Sequence, residues 1–265
     1  MDDRAAQSLA DDLAAAYAER RIVPSPTACD ATFSVADAYV VERALADRRK
    51  AQGRKTVGLK VGYANKAMWR ALKLETLVWA HMYDNTVIKS SGNAASLNMA
   101  AMVAPKIEPE IVFKVRQPVP GADPAATLAG VEWIALGFEI IDCVYPDWQF
   151  QPADFIAAYG LHAALVVGEP LAVKPESIPT LVEQLAGFKL RLTRGTELVE
   201  EGAGRNSLRS PALCLGELAR VAPLGAGDLV SSGTLTTPTL IAPGQVWKAE
   251  PAGLDLPSLT LTVTA

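Results

Sequence analysis

The chain has 265 residues, 50% of them apolar and 20% charged, with 25 Lys and Arg against 29 Asp and Glu. A chain of that size hides about three quarters of the surface it exposes when unfolded, which excludes disorder as the main state and removes any need for a disulfide or metal staple. The net charge of −4 is interspersed, with no basic tract beyond Arg20-Arg21 and residues 48–50, so nucleic acid is excluded as an expected partner.

In chain order, Leu9, Leu13, Ala16 and Tyr17 recur at helical spacing among Asp11, Asp12, Glu19 and Arg20, which predicts an amphipathic helix over 5–21 that Pro24 and Pro26 end. Ser34 is a capping signal for a second helix, with Asp37 in its first turn and a basic end at 48–50. After Gly53 the texture changes to short runs rich in Val, Ile, Leu and Thr, broken by Gly and Pro. Strands are predicted at 56–61, 108–115, 133–144, 161–167, 188–193, 228–232, 246–250 and 258–264, with short helices at 178–185 and 210–221. No regular strand and long-helix alternation appears, and no G-x-G-x-x-G follows a strand, which disfavours a doubly wound nucleotide-binding fold. The composition shift near residues 50–60 divides an N-terminal helical region, 1–55, from a β-rich α+β region, 56–265.

Cys29, Cys143 and Cys214 are odd in number, far apart and without C-x-x-C spacing, which argues against a disulfide framework or a thiolate zinc site. A reducing, cytoplasmic setting is expected, since the start Met1-Asp2-Asp3-Arg4 lacks a signal-peptide pattern and no apolar run is long enough for a membrane span. With only His81 and His162 as imidazoles, a bound metal would rest on carboxylate oxygens, which suit magnesium, manganese or calcium.

The run from Pro105 to Phe113 carries Glu108-Pro109-Glu110. In a strand these two carboxylates share one face while Ile107, Ile111 and Phe113 take the other, so like charges crowd unless protons or a cation intervene. Glu139 adds a third carboxylate inside an apolar run, where it needs a cationic partner or a metal. The plainer alternative is a solvated E-x-E face with Glu139 paired to a buried Lys or Arg.

Four separated motifs, Gly58-Leu-Lys60-Val-Gly62, the Pro105–Phe113 run, Gly137-Phe-Glu139-Ile-Ile-Asp142, and Gly227 through Thr236 with Pro243-Gly244, together resemble the fumarylacetoacetate hydrolase superfamily. Within it the chain looks most like the 2-keto-4-pentenoate hydratase and 4-oxalocrotonate decarboxylase branch. The resemblance implies a strongly curled mixed sheet, a β-roll, as the catalytic domain over 56–265, with a Mg²⁺ or Mn²⁺ site of Glu108, Glu110 and Glu139. It also implies Lys60 and Asp84 as catalytic residues, Ser232 and Thr234 as substrate-carboxylate contacts, and a homo-oligomer, with association to a paralogous pathway enzyme as a further expectation.

The expected chemistry is a metal-dependent hydratase acting on 2-hydroxy-dienoic or 2-oxo-enoic acids of aromatic-compound catabolism, whose C1 carboxylate and C2 oxygen chelate the cation. A decarboxylase of the 4-oxalocrotonate type uses the same electron sink. An acylpyruvate-type hydrolase would instead activate water through His81 or His162, each of which also has a purely structural reading. A non-catalytic partner subunit is the remaining alternative, disfavoured by three retained carboxylates and Lys60. Lys60 is expected to have a lowered pKa beside a cation, or else to be an ion-pair partner of Glu139 or Asp84. Ala158-Tyr159 stand where branch members often carry Asp-Asn, which implies a more apolar pocket and a longer or more hydrophobic substrate tail.

Overall fold

Side-chain caps start both long N-terminal helices of the computed structural model, which describes residues 1–121, 123–222 and 224–265. Asp2 accepts a hydrogen bond from the Ala5 amide at 2.7 Å and opens α1 (Asp3–Ala18). After the short α2 (Pro26–Cys29), Ser34 and Asp37 form a reciprocal capping box at the head of α3 (Val35–Ala51), whose last turn carries Arg48, Arg49 and Lys50.

The strand-rich part follows as β1 (Thr56–Gly62), α4 (Lys66–Leu72), β2 (Val78–Tyr83), β3 (Val87–Lys89), β4 (Ala94–Asn98), β5 (Lys106–Val115), α5 (Pro124–Ala129) and β6 (Val131–Ile141). Then come α6 (Pro152–Ala157), β7 (His162–Val167), β8 (Leu171–Ala172), α7 (Ile178–Gly187), β9 (Lys189–Arg194), β10 (Glu197–Ala203) and α8 (Pro211–Val221). The chain closes with β11 (Leu229–Ser231), β12 (Thr239–Leu240), β13 (Val246–Ala252) and β14 (Leu259–Thr264).

All eight predicted strands have a counterpart, although the predicted 133–144 strand ends at Ile141 and the predicted 161–167 strand starts at His162, because Leu161 is in the left-handed region with φ 58°. Helices α4, α5 and α6 were not expected. Each carries a local start signal, Asn65 accepting from the Ala67 amide, Asp123 accepting from the Ala126 amide, and Pro152 at the first helical position.

One mixed sheet runs β2-β1-β11-β5-β6-β7-β3, with β12 against β5 and β8 against β6, and curls into a half-barrel. A second runs β10-β9-β13-β14-β4. Pairs β1–β11, β3–β7 and β4–β14 are parallel and the others antiparallel, as expected of a β-roll in the α+β class. The main core, with Ile107, Ile111, Phe113, Phe138, Leu185, Leu215 and Trp247, joins one face of the large sheet to the smaller sheet and to α5, α7 and α8. Burying each such side chain contributes about 1.5–3 kcal/mol.

A second cluster unites α1 and α3 with residues from another part of the chain: Leu13, Val41 and Leu45 pack with Tyr145, Phe155, Ile156 and Tyr159. The expected boundary at residue 55 therefore marks the change from helix to strand rather than the edge of an independent core. The helical layer lies beside the sheet face that carries the polar residues described next.

Candidate active site

Strand register assembles the carboxylates. In the antiparallel β5–β6 pair Glu108 lies opposite Glu139 and Glu110 opposite Gly137, so all three Glu side chains share the face turned from the Ile107, Ile111 and Phe138 core. Their carboxylate oxygens offer one ligand atom each within 4.8 Å of one another. Lys60 joins them from β1, where it pairs with Ser231 of β11, itself opposite Val112 of β5.

Each carboxylate is held differently. Glu139 accepts from Lys60 Nζ at 3.0 Å on Oε2 and faces His162 Nδ1 at 2.9 Å on Oε1. Glu110 accepts from the Ser231 hydroxyl at 2.6 Å and the Gly233 amide at 2.8 Å, both on Oε2, while its buried Oε1 has no partner among the described residues. Burial drives the Glu110 carboxyl well above the ordinary range, with the charges of Glu139 and Glu108 adding to it. Burial pushes Glu108 up to about 7 despite the opposing charge of Lys60. Burial also works against the Glu139 carboxylate, but Lys60 and His162 outweigh it and hold the group below its usual value.

The cluster opens on a cleft of about 540 Å³ whose walls include Lys60, Glu108, Tyr63, Trp148, Phe155 and Thr234. Tyr63, Trp148 and Leu161 on these walls all have positive φ, backbone strain of the kind that concentrates at functional sites. The Lys106 ammonium lies 3.9 Å from the Trp148 ring centroid, and the Lys60 ammonium 4.9 Å from that of Phe155. Gly160 (φ 59°) makes room for Lys60: a Cβ there would sit 2.8 Å from Lys60 Cδ and 2.7 Å from Ala80 Cβ.

Among the expected site residues, Lys60, Glu108, Glu110 and Glu139 meet at one point, and Thr234 lines the cleft above them, its hydroxyl donating to the Thr236 carbonyl at 2.8 Å. Asp84 does not join them. It is exposed on the turn between β2 and β3, accepting from the Lys55 and Asn85 amides, because β2 passes Lys60 at Ala80 and carries Asp84 beyond the cluster to the far end of β1. Ser232 is fully buried and donates to the Ile111 carbonyl at 2.8 Å, so its hydroxyl is spent on the sheet; its neighbours Ser231 and Gly233 grip Glu110 instead.

The expected lowering of the Lys60 pKa concerns the cation-bound site; in the metal-free fold the balance runs the other way. Burial does oppose the charge, but Glu139, Glu108 and Glu110 outweigh it and raise the pKa above the ordinary lysine value. Neither imidazole lines the cleft. His81 pairs with Glu42 at 2.7 Å on the helical side, and His162 is fixed between Glu139 and the Thr86 hydroxyl, the latter at 2.8 Å from Nε2. Tyr159, expected to shape the substrate tail, faces a separate cavity behind His162, while Trp148, Phe150, Phe155 and Leu161 supply the cleft's apolar wall.

The sequence reading missed Ser231, whose neighbour in the same Ser-Ser-Gly-Thr run took its place. It also missed Lys106, although it lies within the Pro105–Phe113 run, and Tyr63 and Trp148, which no motif marked.

The donor set fits a hard divalent cation: three buried carboxylates, one with an unpartnered oxygen, and two of them made reluctant to ionise by burial and by one another's charge. Glu108, Glu110 and Glu139 are the residues that would hold magnesium or manganese.

Among relatives, a 4-oxalocrotonate decarboxylase from a Pseudomonas species is 29% identical over 96% of this chain and 97% of its own length. A 2-hydroxypent-2,4-dienoate hydratase from Pseudomonas putida is 28% identical over 83% of this chain and 96% of its own. The fold matches the 4-oxalocrotonate decarboxylase of Pseudomonas putida G7, solved with magnesium and adipate, at a TM-score of 0.88 over 99% of this chain and 98% of that one, with 24% identity. A fumarylpyruvate hydrolase from Pseudomonas aeruginosa, solved with Mn²⁺ and pyruvate, has a TM-score of 0.60 over 78% of this chain and 88% of that one, with 17% identity. The family model described as the C-terminal part of fumarylacetoacetate (FAA) hydrolase matches residues 56–264, and this chain belongs to that family.

Proposed function

We propose that the protein is a divalent-metal-dependent hydratase acting on 2-hydroxy-dienoic or 2-oxo-enoic acids. The observation that carries this reading is the buried trio of Glu108, Glu110 and Glu139 beside Lys60 at the floor of an apolar cleft. Relatives named as hydratases of such acids support it.

Magnesium or manganese, when bound, supplies a Lewis acid for the charge that develops on the C2 oxygen of a 2-oxo acid. The side chains do the rest. Lys60, ion-paired with Glu139, enters as a proton donor at Nζ or as a cation facing the substrate carboxylate. His162 fixes Glu139 from behind, and Ser231 with Gly233 fixes Glu110, so both keep one orientation through turnover. Thr234 lies where a carboxylate entering the cleft would meet a hydroxyl-bearing turn. Tyr63, Trp148 and Phe155 give the cleft an aromatic wall for the substrate body.

Decarboxylation is the second reading, favoured by the decarboxylase relative that spans nearly the whole chain and by the Lys106 ammonium on the cleft wall, where a second carboxylate could be met. Turnover of 2-hydroxypenta-2,4-dienoate and of 2-oxohex-3-enedioate, followed by ultraviolet absorbance and CO₂ release with and without chelator, separates the two. Activity indifferent to chelator and to Glu108→Ala would overturn both. A cytoplasmic setting accords with three free cysteines, two of them buried, and no described helix is long and apolar enough to cross a membrane. The family resemblance supports a homo-oligomer, which sedimentation velocity tests.

A further inference from the structure

The turn that carries Asp84 away from the carboxylates brings a different side chain back to them. Thr86 closes that turn: its amide donates to the Tyr83 carbonyl at 3.0 Å, and its own carbonyl accepts from the Leu165 amide at 2.8 Å. Leu165 is the β7 residue opposite Glu139, so the turn is stitched to β7 beside a presumed metal ligand. The Thr86 hydroxyl then lies 2.8 Å from His162 Nε2, and His162 Nδ1 lies 2.9 Å from Glu139 Oε1. The His162 and Glu139 side chains are at most 1% exposed. With the 3.0 Å bond from Lys60 to Glu139 Oε2, these contacts form one unbroken line, Lys60–Glu139–His162–Thr86, that starts on β1 and ends on the turn after β2.

Donor counting gives the line a direction. A carboxylate only accepts, so Nδ1 carries the hydrogen that faces Glu139, and in the neutral ring Nε2 is left as an acceptor. Among the described residues its hydrogen-bond partner is the Thr86 hydroxyl. That hydroxyl also lies 2.9 Å from the Tyr83 carbonyl, but the carbonyl is already served by the Thr86 amide, which frees the hydroxyl hydrogen for the imidazole. Without the hydroxyl the ring would lose the contact that sets its tilt, on the side where His162 and Thr86 both border a cavity of about 690 Å³. We infer that Thr86 is a positioning residue for the metal site, holding the Glu139 carboxylate in its orientation through His162. The inference rests on the reading of Glu139 as a metal ligand.

The test titrates Mn²⁺ into the full chain, followed by electron paramagnetic resonance, for the wild type, Thr86→Val, Thr86→Ser, His162→Phe and the double variant Thr86→Val with His162→Phe. Thr86→Val keeps the shape and removes the hydroxyl. It is expected to weaken Mn²⁺ binding about fivefold, less than the loss of a direct support of a ligand, while Thr86→Ser stays within about twofold of the wild type. In the His162→Phe background Thr86→Val is expected to change nothing further, because the line is already cut. A second readout needs no metal. The chain has two histidines, so long-range ¹H–¹⁵N spectra recorded in chelator show two imidazoles, and Thr86→Val should move His162 Nε2 downfield and leave His81 in place. Unchanged Mn²⁺ affinity in Thr86→Val, an equal fall in both backgrounds, or an unmoved His162 Nε2 would overturn the inference. Failure of the metal reading looks different: the wild type itself would bind no Mn²⁺, and the inference would fall with it. Where His162→Phe fails to fold, the Thr86→Ser rescue and the imidazole spectrum decide.

Discussion

Lys60 Nζ and Glu139 Oε2 lie 3.0 Å apart with both side chains at most 1% exposed, so each is the other's main electrostatic support. Removing one partner of a buried pair strands the other, at a cost of about 3–5 kcal/mol. Lys60→Met is expected to lose that much stability in urea unfolding of the metal-free protein and to lower turnover about 10²–10⁴-fold, the range for a lost proton-transfer group. Turnover within tenfold of the wild type would remove Lys60 from the chemistry.

Ser231 and Ser232 make opposite predictions although they are neighbours. Ser231→Ala deprives Glu110 of a 2.6 Å hydrogen bond. Loss of such a support weakens metal binding about 10–100-fold, read by Mn²⁺ titration followed by electron paramagnetic resonance. Ser232→Ala loses a bond to the Ile111 carbonyl, costing about 1 kcal/mol of stability and leaving Mn²⁺ affinity unchanged.

The metal-free fold is expected to lose stability as pH rises. Glu108 has a folded-state pKa raised to about 7, so between the ordinary carboxylate value and that point the folded chain binds more protons than the unfolded one. Stability then falls with increasing pH across this window, and Glu110, raised as well, adds to the trend. Thermal melting in chelator should show a higher Tm at pH 5.5 than at pH 8, each kcal/mol being worth roughly 2–4 °C at this size. Added Mg²⁺ should restore Tm at pH 8, and Glu108→Gln should flatten the slope.

Gly160 and Gly92 have nearly the same backbone, φ 59° and 58°, but different surroundings. A Cβ at Gly92 meets nothing within 4 Å, so Gly92→Ala should cost only the conformational strain, about 1–2 kcal/mol. Gly160→Ala would push on Lys60 Cδ and is expected to lower kcat about 10²-fold besides, as a displaced catalytic group does. Equal kcat values in the two variants would contradict the assigned role of Lys60.

The carboxylates were legible because period-two alternation fixes the face of Glu108 and Glu110 from the sequence alone, and the apolar run around Glu139 marks it as buried. Ser231 and Ser232 were not separable in the same way: which hydroxyl of adjacent residues faces Glu110 depends on the antiparallel β11–β5 register, a pairing between residues about 120 apart in the chain. Asp84 was misplaced for a related reason. Its sequence distance from Lys60 is short, but β2 runs antiparallel to β1 and carries it away from the cluster. The helical insertion over α6 went unseen because a six-residue helix lacks the length for a clear period.

Asp154, fully buried in α6, accepts from the Thr27 amide at 2.8 Å and the Thr27 hydroxyl at 2.5 Å, and it stands next to Phe155, part of the cleft wall. The region matched by the family model begins at Thr56, after Thr27. Cutting the chain there would retain Glu108, Glu110 and Glu139 yet leave the Asp154 carboxylate with only the Gln151 amide as donor and an aromatic wall without its backing. The first fifty-five residues are therefore a buttress for the reaction chamber, and a truncated protein should bind cations while failing as a catalyst.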